Sequence, residues 1–89
     1  MDNERYVYII RLVKEDYSLP HTKVFVDKDL ADRYFDNDLK YYRKKDWDVS
    51  DSGEICVGTT IRRATMRKKT SDGIDNATLI METFEIIKK

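Results

Sequence analysis

The side chains of this sequence best suited to chemistry are cations. The run Ile61-Arg62-Arg63-Ala64-Thr65-Met66-Arg67-Lys68-Lys69 places five positive charges and no acid in nine residues. Guanidinium groups are planar forks that match phosphates and carboxylates alike. Arg62, Arg63 and Arg67, with Lys68 and Lys69 beside them, could therefore bind a phosphate backbone or a carboxylate-rich protein surface. The structural alternative is a solvated edge strand, whose charges keep other sheets from pairing with it. A second stretch, Lys40-Tyr41-Tyr42-Arg43-Lys44-Lys45-Asp46-Trp47, interleaves aromatics with cations. Tyr41 and Trp47 could stack on the bases of a single strand. Equally, cations suit the negative end of a helix dipole, and Trp47 could plug the end of a core.

Other chemistries are poorly provided for. His21 is the only histidine and Cys56 the only cysteine, so one chain cannot assemble a zinc set from nitrogen and sulfur ligands. Asp36-Asn37-Asp38 and Asp72-Gly73-Ile74-Asp75 lack the spacing of an EF-hand loop. No Gly-x-Ser-x-Gly, no Cys and His pairing and no glycine-rich phosphate loop is present. No catalytic residue, metal or cofactor is expected. The aspartates at 27, 29, 32, 36 and 38 could mimic nucleic-acid phosphates, although a helix N-terminus accounts for the first three. Arg62-Arg63-Ala64-Thr65 matches a basic-directed phosphorylation pattern and Asn76-Ala77-Thr78 a glycosylation sequon, both short enough to arise by chance.

The elements that must carry these residues read as follows. Arg5 to Lys14 is aromatic and β-branched, with Tyr6, Tyr8, Ile10 and Leu12 on one side and Val7, Ile9 and Val13 on the other, a strand with two apolar faces. A polar loop follows over Glu15 to Thr22, with His21 expected at the surface, and then a short strand over Lys23 to Val26. Asp27 is placed to cap a helix running to Lys45, with Val26 and Ala31 as a hydrophobic staple. Leu30, Ala31, Tyr34, Phe35, Leu39 and Tyr42 form its apolar stripe, and Asp36 and Lys40 can pair four residues apart. Trp47 to Val49 suits a short strand, Glu54 to Lys69 a longer one with a bulge at Gly58 or at Arg62-Arg63, and Ala77 to Lys88 another. Asp72-Gly73 marks the turn of a hairpin between the last two.

These features predict one α+β domain over residues 1–89: an antiparallel sheet with one amphipathic helix on one face, in the order β-β-α-β-β-β. With 40 per cent hydrophobic residues and 38 per cent charged, the chain can fill one core and no more. The net charge of zero disfavours nonspecific nucleic-acid binding, so any such role would need a local patch. A lone cysteine, expected to be a small core hydrophobe, excludes an internal disulfide and fits a reducing compartment. No apolar run is long enough to span a bilayer and no signal peptide opens the chain, so a cytoplasmic location is expected, in a bacterium or an infected host. One helix covers one face of the sheet. The other would expose Val7 and Ile9 with either Leu79 and Met81 or Ile80 and Phe84, enough to suggest a homodimer or a protein partner.

The segments YVYIIRLV and VDKDLADRYF, with Val24, Phe25, Ala31 and Tyr34 between and within them, resemble small uncharacterised proteins of bacteriophages and Gram-positive bacteria. The resemblance implies a small accessory protein that binds, and through binding inhibits or redirects, a host macromolecule such as a defence or transcription protein. A nucleic-acid binder using the basic hairpin and a self-assembling structural subunit are the alternatives. Arg62, Arg63, Arg67, Lys68, Lys69, Tyr41 and Trp47 are the expected contact residues.

Overall fold

The computed structural model describes residues 5–14 and 21–86. Its elements are β1 (Tyr6–Lys14), β2 (His21–Phe25), α1 (Lys28–Lys44), β3 (Asp48–Asp51), β4 (Thr60–Thr70) and β5 (Gly73–Glu85). The strands form a single antiparallel sheet in the spatial order β2-β1-β5-β4-β3, with α1 packed on one face. This is the α+β architecture and element order predicted above. Most of the predicted 15–22 loop, and the end of the last predicted strand, lie outside the described residues.

The helix begins where a side chain can satisfy its first free N–H groups. Asp27 has extended backbone, and its Oδ1 accepts from the N–H of Asp29 at 2.8 Å and of Leu30 at 3.5 Å. Ala31, Phe35, Leu39 and Tyr42 recur every three or four residues and are all buried, so one stripe meets the sheet. Tyr34 flanks it, its ring 5.3 Å from that of Phe25 on β2. Leu30 lies off the stripe and is half exposed, and Val26 is more exposed still, so the expected staple does not bury it. Asp36 does not take Lys40 as its partner: it faces the sheet and pairs with Arg62.

At its other end the chain must turn sharply into β3. Asp46 adopts φ 66°, the left-handed region, and donates its N–H to Arg43 O, while Trp47 N–H reaches back to Tyr42 O, both at 3.1 Å. This is the bond pattern of a Schellman motif, and its usual apolar contact is present too. The Trp47 ring stands edge-on to that of Tyr42, centroids 5.1 Å apart. Trp47 thus closes the core at the helix end.

Under the helix, Ile10 of β1, Leu79 and Met81 of β5, and Ala64 and Met66 of β4 are buried against Phe35 and Leu39. The pairing explains why these residues meet: Ile10 lies opposite Met81, Leu12 opposite Leu79, and Leu79 opposite Ala64. Alternation along each strand then sends their sequence neighbours to the far face. β4 and β5 form the expected hairpin through Thr70–Gly73.

The 52–59 segment departs from expectation. It is not the start of a long strand but a connection along the edge of β4. Ser52 N–H bonds to Arg63 O, and Ile55 N–H to Ile61 O. Val57 and Thr60 exchange both backbone bonds around Gly58, which takes φ 61°, so Gly58 marks a tight turn rather than a bulge. Cys56 lies on this outer connection and is exposed, not a core residue.

Two substitutions probe these points. Phe35→Ala empties the centre of the core and is expected to cost about 3–5 kcal/mol. Asp46→Gly removes the side-chain penalty of a left-handed backbone and should add ~0.5–1 kcal/mol. Urea unfolding of each variant measures both, and an Asp46→Gly protein less stable than its parent would show that the aspartate side chain is needed at the turn.

Candidate functional site

The bulge decides what the five cations of β4 can do. Thr60 pairs with Glu82 and Arg62 with Met81, leaving Ile61 as the extra residue. Ile61 packs on the core, and Arg62 next to it turns to the helix side. Arg62 Nη2 and Nε grip Asp51 of β3 at 2.6 and 3.2 Å, Nη2 also meets Asp36 of α1 at 2.7 Å, and Nη1 lies 3.9 Å from Asp32. The guanidinium stacks over the Phe35 ring, 4.2 Å from its centroid. Only 14% of the side chain is exposed. Hydrogen bonding to Arg62 holds the Asp51 carboxyl below the usual carboxylate range, while Asp51 and then Asp36 push the arginine further up. Arg62 is a clamp joining α1, β3 and β4, already saturated by carboxylates of its own chain.

Lys28 extends the same network. Its ammonium bonds to Asp32 at 3.0 Å and to Glu54 at 3.3 Å, tying the first turn of α1 to the 52–59 connection. The hydrogen bond it donates to Asp32 raises its pKa. With Asp27 capping the helix and Asp32 and Asp36 spoken for, little of the acidic run is left to imitate a phosphate backbone.

Lys68 also lies on the helix side, donating to the Lys45 carbonyl at 2.8 Å and helping to close the end of α1. Tyr41 is exposed near it, with the Lys45 ammonium 5.7 Å from its ring, and Trp47 is half buried. Arg63, Arg67 and Lys69 point the other way, and among the described residues their side chains make no hydrogen bond or ion pair. β4 is not a sheet edge as the structural alternative supposed, because β3 covers it from Ala64 to Arg67. The seven expected contact residues are therefore divided between two faces.

The pairing registers map the uncovered face row by row. At one end Val7 lies beside Phe84, and in the next row Val24, Ile9, Glu82 and Thr60 run across four strands. Thr22, Arg11, Ile80 and Arg63 form the third row, and Val13, Thr78, Thr65 and Ser50 the fourth. Asn76, Arg67 and Asp48 follow, then Ile74 and Lys69. Of the two apolar pairs offered for this face, Ile80 and Phe84 occupy it, while Leu79 and Met81 are in the core. Glu82 is neutralised where it stands: Arg11 Nη2 binds its Oε1 at 2.6 Å and the Thr59 hydroxyl its Oε2 at 2.9 Å. The face is thus apolar along β1 and the end of β5, and cationic along β4.

Two recesses flank this layout. One of about 180 Å³ lies at the hairpin end between Asp48, Arg67, Lys68, Lys69 and Ile74. The other, about 210 Å³, opens between α1 and the β1-β2 edge and brings His21, Asp38 and Tyr34 together. Burial pushes both Asp38 and Tyr34 up, with the charge of His21 drawing Asp38 back. Among the described residues no Ser, Thr or Cys lines that groove. Spacing in the sequence gives no sign of it, since His21 and Asp38 belong to different elements.

Among the described residues no group of His, Cys, Asp and Glu is disposed to hold a metal ion, and no helix is long and apolar enough to cross a membrane. Comparison with protein-family models, curated proteins and solved structures finds no match for this chain.

Adjacent arginines should behave in opposite ways. Arg62→Met keeps a long side chain over Phe35 but leaves three carboxylates without their cation, an expected loss of ~2–3 kcal/mol at pH 7. Arg63→Ala and Arg67→Ala should each change stability by at most about 0.5 kcal/mol. The folded pKa of Asp51 lies below its unfolded value of ~3.9, so its contribution is complete above that pH and is lost as pH falls through the folded value. The wild-type advantage over Arg62→Met should accordingly be largest near neutrality and narrow below about pH 4. Urea midpoints at pH 7, 5 and 3 report this; a gap as wide at pH 3 as at pH 7 would remove the ion cluster as its cause.

Proposed function

We propose that this protein is a small binding module that docks a partner protein on the open face of its sheet, and that it acts by occupying that partner. One observation carries the reading: an apolar strip of half-buried Val7, Ile9 and Ile80 with exposed Val24 and Phe84 lies beside Arg63, Arg67 and Lys69, three cations without a hydrogen bond or ion pair among the described residues. Arginine is among the side chains that dominate binding hot spots, and covering the apolar strip beside it adds the favourable burial of apolar area. The likeness of the first half of the chain to phage and Gram-positive accessory proteins suggests a host protein, of defence or transcription, as the one modulated.

The nucleic-acid alternative loses its geometry. Base stacking needs aromatic rings among the cations, and Phe84 is the sole aromatic on the open face of the described strands. Tyr41 and Trp47 lie with α1, away from Arg63 and Arg67. Nucleophilic catalysis would need a Ser, Thr or Cys beside an activating base, and among the described residues the groove that holds His21 and Asp38 is lined by none, its hydroxyls being the phenols of Tyr34, Tyr41 and Tyr42.

Affinity purification from cells, repeated with variants, tests the proposal. Val24→Asp and the double variant Arg63→Glu/Arg67→Glu should each lower recovery of the captured protein at least tenfold, whereas Arg33→Glu on the exposed side of α1 should not. Equal recovery by all four proteins would place the interface elsewhere. Capture that collapses between 50 and 200 mM salt and is abolished by nuclease would favour nucleic acid instead.

A further inference from the structure

The open face also restricts what kind of segment can lie on it, and this step rests on the docking proposal above. We infer that the contacting element of the partner is an acidic amphipathic helix, laid along β5 with its apolar stripe toward β1 and its acidic edge toward β4.

The first argument concerns backbone groups. Within the sheet the N–H and C=O groups of β1, β5 and β4 are already paired with neighbouring strands. A peptide on their face can bond only to side chains. An extended segment would bury its own polar backbone unpaired, which is why extended ligands add to sheet edges. A helix arrives with its backbone satisfied. The three strands span about 10 Å between outer axes, close to the ~10 Å diameter of a helix with its side chains.

The second argument concerns charge. Arg63, Arg67 and Lys69 lie along one strand at separations of about 13 and 7 Å. Carboxylates at successive i, i+4 positions of a helix, about 6 Å apart, can follow such a row. The recess lined by Arg67, Lys68 and Lys69 holds three cations against the one carboxylate of Asp48, an excess that gives the last of them a place to enter. On the β1 side Val7, Ile9 and Val13 ask for apolar contact, and the cation between them, Arg11, is held by Glu82. An acidic edge and an apolar stripe on one helix meet both demands.

The same layout argues against a second copy of this chain. A two-fold axis between facing sheets sets β4 over either β4 or β1 of the copy. The first opposes Arg63 and Arg67 with their own counterparts, and the second seats them on Val7, Ile9 and Val13, beside Arg11. Neither sets a carboxylate over them: the acids on the open face of the described strands are Glu82 on β5, already held by Arg11, and Asp48 on β3.

The test uses the whole protein and three fluorescent synthetic peptides read by anisotropy. All carry one leucine stripe at helical spacing; one is flanked by Glu, one by Lys, and the third is the Glu peptide with a central Pro. The Glu peptide should bind at least tenfold more tightly than either of the others. Arg63→Glu/Arg67→Glu, checked for an unchanged melting temperature, should reverse the preference toward the Lys peptide. Equal binding of Glu and Lys peptides, both abolished by Val24→Asp, would overturn the acidic partner while leaving the open face as a docking surface. Equal binding of the Pro peptide would overturn the helix. No binding of any peptide, tighter binding of a 20-nucleotide single strand, or a dimer that Val24→Asp makes monomeric would each overturn the inference.

Discussion

A five-stranded sheet has two faces, and this chain supplies one helix. Every residue of β1 and β5 inherits that inequality through the two-residue alternation of strands. Ile10, Leu79 and Met81 disappear beneath α1, and Ile9, Ile80 and Glu82, one position away, face outward. The core is consequently thin, a single layer of side chains between helix and sheet. It must be sealed at its ends, by Trp47 where α1 stops and by Arg62 along the β3 side.

Arg62 shows how a charge can belong to such a thin core. Its three carboxylates come from two other elements, so the pairs with Asp32 and Asp36 also fix the distance of α1 from the sheet, the pair with Asp51 ties β3 to β4, and the flat guanidinium covers Phe35 as an apolar side chain would. Its neighbour Arg63 has the same side chain and none of these partners. Position relative to the bulge, and not residue type, separates a structural arginine from one free to meet another molecule.

That distinction marks the limit of what could be read from the sequence. The helix was legible from Asp27 to Lys45 because capping and periodicity are local, and the final hairpin because Asp72-Gly73 is a turn signal flanked by strand-forming residues. The alternation of β1 was equally plain. Hidden were matters settled only by partners distant in the chain: which of Leu79 and Ile80 faces α1, the theft of Asp36 from Lys40 by Arg62, and the exposure of Cys56 on an outer connection. The bulge at Ile61 is compatible with the sequence but not dictated by it, and it is what splits one basic run between two faces.

The pairing of β1 with β5 has a kinetic side. The last strand of the sheet in sequence is its middle strand in space, and Tyr6 at the start of β1 lies opposite Glu85 at the end of β5. A chain that has made everything through β4 holds two strand pairs, β1 with β2 and β3 with β4, with no strand between them and only α1 to bridge them. Closing so long a loop is entropically costly until the contacts that reward it exist, which places the domain among slower, topology-limited folders. Until β5 inserts, the inner faces of β1 and β4 have open edges as well as open surfaces. The cations of β4 and the charged ends of β1 then serve a second purpose, keeping these unfinished sheets from pairing with one another.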